Sequence, residues 1–310
     1  MSLLSTPLNV HVLQALDEES KSLYDLRRAV GAPPQTTMRG NLRTLTELGI
    51  LERRRLDDFP GSIEYRLTPA GRELLAAAEV LETWLLHSPE GPRALGSLPA
   101  KSAIKALVEG WSCAIVRALA ARPLSLTELS KLIAGLSYPT LERRLMAMRI
   151  AGQIEPSSGN GRGTPYVVTP WLRLATGPLA AAARWERENA GPANPVTKLD
   201  VEAGFLLALP LLRLPEHLEG TCRLAVSLGS AAGEPRLGGV VVDVEEGRVV
   251  SAVATLENRA NGWASGPTAG WLRALVDGEP DHLEIGGDRE LAVSLLDGLH
   301  SALFRLPAAA

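Results

Sequence analysis

Apolar residues recur at helical spacing in two stretches of this chain, and each stretch then gives way to short alternating segments. In the first, Met38, Leu42, Leu45 and Gly49 fall on one stripe of a helix, positioned to pack against earlier helices carrying Leu13, Leu16 and Leu26. Residues 50–55 and 63–68 follow as two strands around a turn at residues 57–62. The second stretch repeats this order: residues 126–129 lead to a helical run at 141–155, then to a strand at 165–170. Leu126, Leu145 and Gly152 each lie 103 residues after Leu23, Leu42 and Gly49, whereas Tyr166 and Trp185 lie 101 after Tyr65 and Trp84. The two-residue difference falls in the loop between the strands, where a repeated fold tolerates change. Two Gly, Pro and Ser-rich stretches, 88–99 and 189–195, read as linkers. Beyond the second, a helix is expected at 199–212, strands at 222–228, 238–244 and 248–255, and helices at 268–276 and 290–303.

Each helix-then-ribbon stretch reads as a winged helix. With its apolar stripe packed inward, the first predicted reading helix presents Thr36, Thr37, Arg39, Gly40 and Arg43, with Arg39 and Arg43 one above the other. A guanidinium suits such a face, because its planar fork matches guanine O6 and N7 or a phosphate. Arg53 and Arg55 make the base of the wing cationic. In the second copy Thr140 matches Thr37, but Glu142 stands for Arg39, Arg143 for Gly40 and Met146 for Arg43. Arg143, Arg144 and Arg162 are its cations, and it either reads another half-site, the preferred reading, or has drifted towards scaffolding. The glycine cluster around Arg162 lacks the strand-loop-helix setting of a phosphate-binding loop.

These residues carry a family resemblance. The run 38–51, then residues 59–74 and Trp84, resembles the HxlR family of bacterial winged-helix regulators, itself close to the MarR type. In the second copy residues 106–111 followed by 115–119 look like that family's first helix, and Trp185 repeats its closing tryptophan. The resemblance implies a DNA-binding transcription regulator acting on a double-stranded operator. Such proteins usually pair as homodimers with one winged helix per subunit. One chain here supplies both, so a monomer working as an internal pseudo-dimer, or a homodimer of such chains, is expected. Some members of the family sense oxidants through an early cysteine. This chain departs from that pattern, and Cys113 reads as a small buried hydrophobe.

Composition changes the picture in one respect. The chain has 310 residues, 45% hydrophobic and 22% charged, enough for two or three domains each with a core, and its net charge is −3. Residues 104–195 carry 11 Lys and Arg against 6 Asp and Glu, while residues 196–310 carry 9 against 16. The acidic final third is the part least suited to phosphate. Within it, residues 239–250, 260–266, 271–278 and 283–293 resemble the sterol carrier protein type 2 fold. That resemblance implies a sheet with helices over one face and an apolar small-molecule effector lined by Trp263, Trp271, Leu275, Leu295 and Leu299.

The expected architecture is α+β: winged helix-turn-helix domains at 1–88 and 104–188, then a sterol carrier protein-like sandwich at 198–306. No run is long enough to span a membrane and no leader is evident, and two cysteines make no disulfide framework, so a cytoplasmic protein is expected. The five histidines are scattered and no nucleophile-base pair or dinucleotide fingerprint occurs, so no enzyme, metal or cofactor is expected. Two other readings compete: a lipid or small-molecule binder whose winged helices serve as dimerisation or protein-contact modules, and an enzyme acting through the third domain.

Overall fold

The computed structural model describes residues 1–55, 63–157, 163–190, 196–231 and 234–306. The wing turn expected at 57–62, the glycine-rich tip with Arg162, and residues 191–195 of the second linker lie outside the described residues.

The first unit opens with a 3-10 turn, Leu3–Ser5, and α1 (Pro7–Ala15). It continues through β1 (Lys21–Ser22), α2 (Leu23–Ala29), α3 (Gln35–Glu47), β2 (Leu51–Arg55) and β3 (Ile63–Leu67), and closes with α4 (Pro69–Leu86). Its strands pair in the order β1-β3-β2. The second unit runs α5 (Leu98–Val108), α6 (Ser112–Ala121), β4 (Leu124–Ser125), α7 (Leu126–Leu132), α8 (Tyr138–Ile150), β5 (Ile154–Pro156), β6 (Pro165–Val168), α9 (Pro170–Leu174) and α10 (Thr176–Trp185). Its sheet, β4-β6-β5, has the same order.

Local chemistry recurs with the sequence offset. Ser22 caps α2 by accepting from the Asp25 amide, and Ser125 caps α7 by accepting from that of Glu128. Gly49 and Gly152 take φ of +71° and +80°, which glycine adopts without strain, to turn the chain from helix into strand. Thr68 Oγ1 then donates to the carbonyl of Gly49 at 2.6 Å and accepts from the Gly71 amide. Thr169 Oγ1 donates to the carbonyl of Gly152 at 2.9 Å and accepts from the Leu172 amide.

The two units do not keep separate cores. One buried apolar cluster runs from Leu4 through both units to Leu207. At its centre the indoles of Trp84 and Trp171 stack with centroids 4.3 Å apart and planes 3° from parallel. Trp84 Nε1 donates to the Trp171 carbonyl and Trp171 Nε1 to that of Trp84, both at 2.8 Å, and Trp185 Nε1 donates to the Ala70 carbonyl at 2.7 Å.

The expected first helix of the second unit is interrupted. Gly110 takes φ of +61°, separating α5 from α6, and α5 begins at Leu98 inside the stretch expected as linker. Ser97 explains the start, since its side chain accepts from the Ala100 amide, and Pro99 suits a first turn. Cys113, expected to be buried, is exposed on α6. Partial desolvation still pushes its thiol up, with Arg117 opposing, so it is not poised as a thiolate.

The third unit comprises α11 (Lys198–Ala208), a 3-10 turn at Leu209–Leu211, β7 (Gly220–Ala231), β8 (Glu234–Glu245), β9 (Arg248–Val253), β10 (Gly262–Pro267), α12 (Thr268–Val276), β11 (Glu284–Gly287) and α13 (Arg289–Phe304). Its sheet has the order β11-β10-β7-β8-β9, with β10 parallel to β7 and the other pairs antiparallel. Cys222, Leu224, Val226, Val240, Val242 and Val244 share a second core with α12 and α13, the period-two alternation of a sheet covered on one face. Burial pushes the Cys222 thiol up to about 12.

Helix α11 joins the cores: Ala203 and Leu207 belong to the winged-unit cluster, and Phe205, Ala208 and the following Leu209 to the third. Arg173, at the end of α9, donates to the Leu206 carbonyl at 3.0 Å, and burial lowers its pKa. Arg117 pairs with Asp200 at 3.5 Å, and Arg184 pairs with Asp277. The third unit is thereby fastened to the second.

Candidate nucleic-acid interface

Helix α3 is set by its inner stripe. Met38, Leu42 and Leu45 are at most 1% exposed, and each such burial contributes about 1.5–3 kcal/mol to holding the helix against α1 and α2. The turn before it is tied by Arg27, whose Nε donates to the Pro33 carbonyl at 2.6 Å. Thr36, Thr37, Arg39 and Arg43 are therefore turned to solvent, as the spacing predicted. Arg43 lies 3.8 Å from Glu47, but both side chains are more than two thirds exposed, so this pair contributes little and the guanidinium is readily released.

Arg53 and Arg55 are exposed along β2, where they pair in register with Tyr65 and Ile63 of β3. Arg54, also exposed, pairs with Glu64 in register and by alternation points to the other face. Glu52 is taken by Arg66. Helix α3 and strand β2 thus present five exposed arginines, two on the helix and three on the strand, on elements fixed by one core.

The second unit is differently equipped. Its inner stripe is the same, Leu141, Leu145 and Met148 being at most 2% exposed. Thr140 is half-buried and its Oγ1 is hydrogen-bonded by Ser137 at 2.8 Å. Arg144 is only 25% exposed and turns back to Glu109 at 3.9 Å, beside the Gly110 break, so it is not on the outer face. Arg143 is exposed. Around it stand Tyr138, Met146 and Ile150, at 49%, 50% and 67% exposure, with Glu142 and Arg149. On β5, Glu155 and Pro156 replace the counterparts Glu52 and Arg53. Spacing alone did not separate Arg144 from Arg143, because the carboxylate that claims Arg144 comes from a break invisible to periodicity.

Of the residues expected to line an effector site, four are brought together in the third core and Trp263 lies apart. Trp271, Leu295 and Leu299 are at most 2% exposed in the third core, with Leu275 at its margin. Trp271 packs edge-on to Phe205 at 5.1 Å and its Nε1 donates to the Ala225 carbonyl at 2.8 Å. Trp263 is 36% exposed and, as the neighbour of buried Ala264 on β10, projects from the opposite face of the sheet.

Residues 3–90 match the family model described as HxlR-like helix-turn-helix. Over 70 residues the chain is 46% identical to an uncharacterized HTH-type transcriptional regulator of Mycobacterium tuberculosis (strain CDC 1551 / Oshkosh), covering 22% of this chain and 44% of that protein. Over 82 residues it is 33% identical to the uncharacterized HTH-type transcriptional regulator YtfH of Escherichia coli K12, covering 26% of this chain and 65% of that protein. The chain therefore spans less than half the length of the mycobacterial relative it matches. A solved structure assigned to the MarR family, from Enterococcus faecalis V583, is 26% identical and covers 27% of this chain and 76% of its own, with a TM-score of 0.26. The first unit is an HxlR-type helix-turn-helix domain, and its relatives are transcriptional regulators. No helix among the described residues is long and apolar enough to cross a membrane. No group of three or more His, Cys, Asp or Glu suited to a metal occurs among them either.

Proposed function

We propose that this chain is a transcription regulator that binds an operator with two unlike winged helices arranged as an internal pseudo-dimer. One observation carries the pseudo-dimer: the tryptophans of the closing helices exchange equivalent bonds. With the offset of 101, Trp84 corresponds to Trp185 and Ala70 to Trp171. Trp84 donates to the carbonyl of 171 and Trp185 to that of 70, so each unit's indole reaches the same backbone position of the other. In a two-fold interface residue i of one half meets j of the other while j meets i, and this pair of bonds satisfies that rule inside one chain.

Within the pseudo-dimer the heads are unequal. Thr36, Thr37, Arg39 and Arg43 read the major groove, and Arg53 and Arg55 hold phosphates beside it. The second head contributes Arg143, with Thr140 and Arg144 supporting its helix, and reads its half-site more weakly. The third unit, a sterol carrier protein type 2-like sandwich, is the regulatory module. An apolar effector entering between its sheet and helices would have to displace Phe205. Because α11 also carries Ala203 and Leu207 into the winged core, that displacement would reach the reading heads, provided the two arrangements bind effector differently.

Binding of purified protein to a random duplex pool, compared between the native chain and the double variant Arg39→Ala, Arg43→Ala, tests this reading. Enrichment of a defined site, lost in the variant, is expected. Absence of enrichment by the native chain would favour the reading in which the winged helices are protein-contact modules.

A further inference from the structure

We propose that the second winged helix recognises its half-site by thymine methyl groups, with Met146 as the residue that sets the preference; the proposal rests on the operator-binding reading and deepens it. On α3 the outward stripe through Arg39 and Arg43 is polar. With the offset of 103, its counterparts on α8 are Glu142 and Met146. Tyr138 and Ile150 extend the same stripe in four-residue steps, where the first unit has Gln35 and Glu47. Leu141, Leu145 and Met148 fix the inner side of α8, so this stripe is held outward, and Tyr138, Met146 and Ile150 are all exposed. Single exposed apolar residues are ordinary. Here three of the four positions on one stripe are apolar, on the helix that corresponds to the arginine-bearing one.

What such a stripe can recognise follows from the chemistry of the major groove. Base edges there offer hydrogen-bond donors and acceptors, which an apolar side chain cannot use, and one apolar group, the C5 methyl of thymine. A methyl packed against Met146 leaves water, which is worth about fourfold in affinity, and the flexible thioether adapts to its position. Glu142, one turn earlier, is opposed by the O6 and N7 acceptors of guanine, so the stripe disfavours the base that Arg39 favours. The surroundings favour nucleic acid over protein as the occupant. Arg143 and Arg149 are exposed beside the stripe and make no ion pair among the described residues, which leaves two guanidinium groups for phosphates. A stable protein interface takes roughly 20–30 residues a side, whereas a methyl contact takes one side chain. The two halves of the operator therefore differ in kind, one bearing guanine under α3 and the other thymine under α8.

The test takes a duplex enriched by the full native chain and replaces each thymine in turn with deoxyuracil, which removes the methyl and nothing else; affinities are read by competition. In the half whose sequence preference survives Arg39→Ala, at least one replacement should weaken binding about fourfold. Met146→Ala should bind the thymine and deoxyuracil forms of that position equally. Met146 is 50% exposed, so this variant leaves the core intact. Met146→Arg, which restores the first unit's residue, should move the preference at the same position from thymine to guanine. Full affinity for every deoxyuracil duplex, or an unchanged ratio of thymine to deoxyuracil affinity in Met146→Ala, would overturn the proposal. So would an enriched site with a single half, indifferent to Met146→Ala, which would make the α8 stripe a protein contact. A chain that enriches no sequence fails earlier, at the operator-binding reading itself, and takes this proposal with it.

Discussion

Arg39 and Glu142 occupy the same place on equivalent helices, and the difference between them sets what each head can do. A guanidinium there can bind a guanine edge bidentately, whereas a carboxylate is repelled by the nearby phosphates. Arg39→Ala should weaken specific binding by about 1–3 kcal/mol and relax preference at one base position, measured by competition between operator variants. Arg53→Ala should instead weaken binding to all sequences alike and reduce the slope of log affinity against log salt by about 1. Sequence spacing placed Arg39 and Arg43 correctly because outward position on an amphipathic helix is a local property. It could not place Arg144, whose partner Glu109 is 35 residues away, nor the exposure of Cys113. Glu128 offers a test of the cap. Hydrogen bonds from the backbone and side chain of Ser125, then Arg122, hold its carboxyl at about 2 against an ordinary 4.5. A lowered folded pKa stabilises above the unfolded value and is lost as pH falls. The gap in Tm between the native chain and Glu128→Gln should therefore be full above pH 4.5 and close as the pH approaches 2. A gap independent of pH would assign the effect to something other than the carboxylate.

At the scale of elements, the closing helices do what the loops cannot. α4, α9 and α10 bring Trp84, Trp171 and Trp185 to positions where each indole N–H meets a carbonyl in the other unit. Trp185→Phe leaves the Ala70 carbonyl without this donor and should cost about 1–3 kcal/mol in denaturant unfolding. Trp84→Phe should cost more, because it also loses stacking on Trp171. If either is neutral, the exchanged bonds are not what fixes the two units. The helix-then-ribbon order of both stretches was legible because both periods are strong. The break at Gly110 was not, since a helical stripe runs through it, and β10 and β11 were missed because Gly262–Pro267 and Glu284–Gly287 are rich in glycine and carry little alternation. The dual role of α11 also escaped the sequence. Its apolar residues lie on two faces, Ala203 and Leu207 against Phe205 and Ala208, and only the packing says which core each face meets.

As a whole molecule the chain combines two helix-and-ribbon units packed across an apolar seam with an acidic third unit fastened to the second. The charge imbalance is along the chain: exposed arginines stand on both of the first two units, and the excess of Asp and Glu lies beyond residue 196. In the proposed pseudo-dimer the seam would set the separation of the two reading helices, and half-site spacing would be a property of one chain rather than of dimerisation. The most direct measurement is selection of bound sequences from a random duplex pool, with the number of chains per duplex determined on the enriched site by sedimentation. One chain should occupy a site with two unlike halves about one helical turn apart, the stronger half losing its sequence preference in Arg39→Ala. Two chains on a site of two identical halves, both altered by Arg39→Ala, would contradict the internal pseudo-dimer.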